Sequence, residues 1–149
     1  MRTCCKLLVL WLALPVLAAA FAARDPQAVL QALKERARTA KPAEATLANA
    51  LVVQQEIAIA DNFFKNNDVD KGQAAVDDAV HYAELAGTAL HKDSKHLKEA
   101  EIILREAGRR LEEIRRTLAY DDQAPVQKAE DRLEKIRRDL LAQMFGASQ

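Results

Sequence analysis

Apolar residues recur at alternating spacings of three and four along the second half of this 149-residue chain. Leu97, Ala100, Leu104, Ala107, Leu111, Ile114 and Leu118 keep that rhythm, and so do Val126, Ala129, Leu133, Ile136 and Leu140. A sustained 3.5-residue repeat places its apolar positions on one seam of a left-handed, knobs-into-holes helix pair. Within these runs the segments 110–118 (RLEEIRRTL) and 132–140 (RLEKIRRDL) agree at seven of nine positions. A turn containing Asp121, Asp122 and Pro125 separates them. The pattern predicts a coiled-coil-like hairpin of helices over 94–119 and 124–145. Its register brings Leu118 to Val126, Leu111 to Leu133 and Leu104 to Leu140. That register sets Arg115 opposite Glu130 and Arg110 opposite Arg132. One continuous helix would carry Pro125 in its interior, at a cost of about 3 kcal/mol.

The first half follows the same helical period. Asp25 before Pro26 is an N-cap followed by a proline at the first helical position; Leu30, Leu33, Ala37 and Ala40 then predict a short helix over 26–39. Pro42 ends that segment and opens a second helix to Lys65. Leu47, Leu51, Val52, Ile57, Ile59, Phe63 and Phe64 lie there among many alanines, a breadth of apolar surface expected of a central helix. Asn66, Asn67 and Asp68 supply a turn and caps. A third helix over 69–90 carries Val69, Gly72, Val76, Ala79, Ala83, Ala86 and Leu90, small enough for a neighbour to approach closely. Asp93 and Ser94 are the expected N-caps of the fourth helix. No stretch shows the period-two alternation of strands. The expected fold is an all-α antiparallel bundle of about four long helices plus the short first one.

The N-terminus reads differently. Arg2 and Lys6 precede an apolar run from Leu7 to Phe21, followed by Ala20-Phe21-Ala22, the layout of a secretory signal cleaved after residue 22. The run is shorter than the roughly 20 residues of a membrane span. Cys4 and Cys5 precede it, so no lipoprotein cysteine stands at the cleavage site. The expected product, 23–149, is a single domain without cysteine or tryptophan and without a transmembrane helix, periplasmic or secreted. The full chain holds 22 basic and 22 acidic residues; loss of Arg2 and Lys6 makes the product slightly acidic. Such balance gives no reason to expect a nucleic-acid partner.

The residues Ile59, Ala60 and Phe63, the turn Asn67-Asp68-Val69-Asp70, and then Gly72, Val76 and Ala79 resemble one tetratricopeptide-type helical hairpin over 53–86. The resemblance implies a packing style, in which small and aromatic residues of one helix meet small residues of the next, and a protein-binding role. A shift of 34 residues puts Glu106 and Arg110 at positions that need core residues, so no second copy follows.

Chemistry-bearing groups are few. Asp78 and His81, and likewise Asp93 and His96, stand at i,i+3, the weak metal candidates; di-metal bundles use glutamate and histidine in that relation. A calcium loop at Asn67–Gly72 fails, because Val69 falls where a ligand oxygen is needed. Covalent c-type haem lacks its motif. Ser94 and Ser148 sit on no nucleophile elbow, and the glycines are isolated rather than gathered into a phosphate loop. From residue 92 onward 13 basic side chains face 12 acidic ones, a solvated surface in which Arg110 and Arg132 are the candidate anion or partner contact. Gly108, in mid-helix, is read as room for a neighbouring helix. The expected function is an exported, non-enzymatic helical protein that binds protein or itself, without a cofactor. Membrane-surface binding through amphipathic helices and a metal-binding bundle are the alternatives.

Overall fold

A computed structural model describes residues 25–89 and 96–146. All regular structure among them is helical: α1 (Pro26–Thr39), α2 (Pro42–Lys65), α3 (Val69–Thr88), α4 (Leu97–Thr117) and α5 (Tyr120–Gly146). The expected signal at 1–22 and the expected caps Asp93 and Ser94 lie outside the described residues.

The first boundaries form for the reasons the sequence gives. The Asp25 carboxylate accepts from the Gln27 amide at 3.0 Å, closing the open N-terminus of α1 ahead of Pro26. Ala40 and Lys41 are extended, as the residue before a proline must be, and Pro42 starts α2. Between α2 and α3, Asn67 turns the chain with φ of 59°, a left-handed conformation that asparagine tolerates. Asp68 caps α3 through the Lys71 amide.

Two boundaries differ from expectation. Helix α4 begins at Leu97 rather than 94. His96 precedes it at φ of 65°, and its ring Nδ1 lies 3.1 Å from Glu99. Helix α4 stops at Thr117, and the turn to α5 is only Leu118 and Ala119. Asp121, Asp122 and Pro125 therefore belong to α5 itself. The reason is the position of the proline. At the sixth residue of α5 it deprives only the carbonyl of Asp121, an exposed residue open to solvent, of a donor. The two aspartates gain from the positive helix end, and Gln123 Nε2 donates to the Leu118 carbonyl at 3.0 Å.

The four long helices form two hairpins, α2/α3 and α4/α5. Helix α2 packs on α1, α3 and α4, and α5 packs on α3 and α4. Asp61 of α2 pairs with Arg110 of α4, C-terminal half to C-terminal half, so these two helices run in the same direction. Glu84 and Arg132 fix α3 and α5 likewise. Each hairpin is antiparallel within itself, and the two stand side by side with like arms together. This explains why α2 is buried along its length.

The core runs continuously through both hairpins. Ala50, Ala60, Ala75, Ala79, Ala83 and Ala86 are at most 7% exposed in the first. Phe64 lies across Gly72 so closely that a Cβ there would stand 2.6 Å from the ring. In the second, Leu104, Leu111, Leu133 and Leu140 are at most 1% exposed. Each such leucine contributes about 1.5–3 kcal/mol over an exposed one. Arg115 meets Glu130 at 2.9 Å, as the predicted register requires. Gly108 has no atom within 4 Å of where its Cβ would be. No helix packs against it, contrary to expectation; Gly108 instead lines a cleft whose far side is Glu130, Asp131 and Glu134 of α5.

Candidate functional site

The sequence candidates disperse in three dimensions. Arg110 reaches Asp61 at 2.6 Å and Glu113 at 2.8 Å. Arg132 reaches Glu84 at 2.7 Å. The hairpin seam sets the two arginines toward different neighbouring helices, α2 and α3, so they do not form a pair of like charges awaiting an anion. Partial burial pushes the Asp61 carboxyl upward, but hydrogen bonds from Lys65 and Arg110 outweigh it and hold it below its ordinary value. The Arg110 guanidinium is raised, first by its bond to Asp61. The spacing of charges along α4 and α5 carries no information about α2 and α3, which is why these partners were not foreseen.

His81 is exposed, edge-on to Tyr82 at 5.5 Å between ring centres. Asp78, its i,i+3 neighbour, instead accepts from Lys34 at 3.0 Å. His96 pairs with Glu99, and Asp93 lies outside the described residues. No group of three or more His, Cys, Asp or Glu side chains able to hold a metal ion occurs among the described residues.

The structure instead assembles a cluster that the sequence reading missed. Lys34 of α1 enters between α2 and α3. Its Nζ stands 2.6 Å from Glu56 Oε1 and 3.0 Å from Asp78 Oδ2. It also lies 5.3 Å from the centre of the Tyr82 ring, within cation–π range. Glu56 is 2% exposed. At that distance the ammonium directly compensates the charge of the buried carboxylate. Burial drives the Glu56 carboxyl above its ordinary value, and Lys34 only partly offsets that. Burial opposes the Lys34 charge, but its bonds to Glu56 and Asp78 prevail and raise it. One signal was present in the sequence: Glu56 is a carboxylate set among Val52, Val53, Ile57, Ile59 and Ala60, and a buried charge requires a partner.

A second feature lies on the opposite side of α3. Helices α3 and α5 enclose a surface groove divided by the Glu84–Arg132 ion pair. A cleft of about 620 Å³ lies beside Gly87, Ile136 and Ala142, and one of about 420 Å³ lies beside Val80, Pro125 and Ala129. The lining is mixed: these small and apolar residues alternate with Thr88, Asp139 and Gln143 in the larger cleft and with charged side chains in both. Lys128 and Lys135 stand on the α5 wall and Asp77 on the α3 wall. The bridging pair is about half exposed on each side, and such pairs are worth only about 0–1 kcal/mol. At the two ends of α5, Tyr120 is 88% and Phe145 77% exposed. No helix among the described residues is long and apolar enough to cross a membrane. Compared with family models, with curated proteins and with solved structures, the chain matches none.

Proposed function

We propose that this chain is a non-enzymatic helical module that binds another protein, exported by the signal-like segment at 1–22 to the periplasm or exterior. The observation that carries the reading is the α3/α5 groove: small apolar patches at Ile136, Ala142, Val80 and Ala129 flanked by charged side chains, and crossed by one weak ion pair. Apolar surface rimmed by charge is the composition of a protein-binding patch. Exposed Tyr120 and Phe145 add aromatic anchors of the kind enriched at interfaces. Two further points support the reading. The seven-residue spacing of α4 and α5 suits a coiled-coil seam, and side-by-side hairpins with like arms together suit a tetratricopeptide-type protein binder.

Purified 23–149 immobilised beside its Ala142→Trp variant tests the reading, with the cell's envelope and secreted fractions as the source of partner. Ala142 is exposed and lines the larger cleft, so tryptophan fills the groove without entering the core. A protein retained by the parent and lost by the variant, at equal helicity, is the expected result. Retention by neither, together with a monomer in sedimentation, overturns it.

A further inference from the structure

The Lys34 cluster is an unusual arrangement for a fold to maintain. Its carboxylate is fully sequestered on α2, and a buried ion pair is weak evidence of stabilisation, because desolvation consumes most of the attraction. Three groups converge on one point. They are the Glu56 carboxylate, the Asp78 carboxylate of α3, and the face of Tyr82, one turn further along α3. Two carboxylates and an aromatic face are what recognise an alkylammonium group. Glu56 Oε1, 2.6 Å from the Lys34 ammonium, is where such a group is received.

The element that fills this point is lightly attached. Only Leu30 of α1 is fully buried, with Leu33 and Ala37 partly so. Its link to α2 is Ala40 and Lys41, both already extended, so a change of angle at these two residues is all that its displacement requires. The α2/α3 seam keeps its own alanine packing without α1.

We propose that Glu56, Asp78 and Tyr82 form an alkylammonium site occupied in this chain by its own Lys34. Helix α1 is then a displaceable strap, and a partner's lysine-bearing helix takes its place. Charge complementarity dictates the occupant: the face beneath α1 presents Glu56 and Asp78, and a helix laid over Glu56 without a cation buries its charge uncompensated. The ammonium site stands by itself. The partner helix rests on the protein-binding reading above.

The test separates the two parts. In Lys34→Ala the site is open, and ethylammonium chloride is the probe. It is expected to raise the unfolding midpoint by about 4 °C at ten times its Kd, whereas sodium chloride or ethanol at equal concentration gives no such rise. The effect vanishes in Lys34→Ala/Glu56→Gln. If Lys34→Ala folds only with ethylammonium, the site is equally supported; a midpoint moved alike by all three additives overturns it. The strap is tested with a labelled peptide of residues 25–41. It is expected to bind Lys34→Ala about tenfold more tightly than the native chain, and a peptide with norleucine at position 34 to bind about tenfold more weakly than the lysine peptide. Equal binding of the two peptides overturns the strap even where the amine rescue succeeds. Should Lys34→Ala not fold under any condition, the same peptide pair on the native chain decides both parts. Neither arm uses the α3/α5 groove, so failure here leaves the groove reading standing, and the reverse.

Discussion

The two hairpins of this bundle reach the same topology by opposite packing. In α2/α3 the α3 side of the core is alanine and glycine apart from Val76, and Phe64 of α2 lies directly on Gly72. In α4/α5 leucines and isoleucines alternate with Ala100, Ala107 and Ala129, and side chains rather than backbones fill the space. Helix α3 of the first hairpin has little side chain to lose and, at Gly72, no room to gain any. The leucine hairpin is the reverse. Stability is therefore sensitive to truncation in one and to enlargement in the other.

The largest expected effect lies in the leucine seam. Leu111 is 0% exposed and faces Leu133 in the register. Leu111→Ala is expected to cost about 2–5 kcal/mol in urea unfolding. A loss below 1 kcal/mol shows that the seam closes over the cavity and that it is not the rigid partner in the comparison.

A buried charge gives the next effect. Lys34→Ala leaves Glu56 uncompensated, at an expected cost of about 2–3 kcal/mol at neutral pH, reduced from the fully buried case because Lys34 is 22% exposed at its side chain. The sign with pH follows from the direction of the shift. Glu56 is raised above its ordinary 4.5 in the folded state, so the folded protein holds this proton more tightly than the unfolded chain. Stability due to this group is highest at acid pH and falls as pH rises from about 4.5 through the raised value. Removing the lysine widens that window. The penalty of Lys34→Ala, read as a difference in urea midpoint, is expected to shrink from pH 7 to pH 4. A penalty constant with pH assigns the loss to the packing of the lysine stem instead.

What the sequence revealed follows from how local each determinant is. Helical period, the caps at Asp25 and Asp68, the break at Pro42 and the seam pairing Arg115 with Glu130 depend on neighbours along the chain or on one hairpin, and all were legible. The α4–α5 turn was not, since proline signals a boundary only if it is past the first turns; here Leu118 and Ala119 turn the chain and Pro125 follows inside α5. The partners of Arg110 and Arg132 were hidden for a different reason. They depend on which faces the two hairpins present to each other, and no spacing within α4 or α5 encodes that. The Lys34 cluster joins three helices and was hidden twice over, although Glu56 on an apolar face was a visible anomaly.

The smallest effect sharpens the comparison most, because one substitution is expected to have opposite signs in the two hairpins. Glycine in a helix interior costs about 1 kcal/mol against alanine. At Gly72 that gain is outweighed: a Cβ would stand 2.6 Å from the Phe64 ring, itself only 9% exposed and held by the core. Gly72→Ala is expected to lower stability by about 1–2 kcal/mol net of propensity, and Phe64→Leu in the same chain to recover part of it. At Gly108 a Cβ meets nothing within 4 Å, so Gly108→Ala is expected to raise stability by about 1 kcal/mol. Thermal unfolding of the two single variants reads the signs directly. If Gly72→Ala also stabilises, the ring moves aside at no cost, and the first hairpin is not closed by backbone approach; its tolerance would then match that of the second, and the contrast between them would reduce to side-chain volume alone.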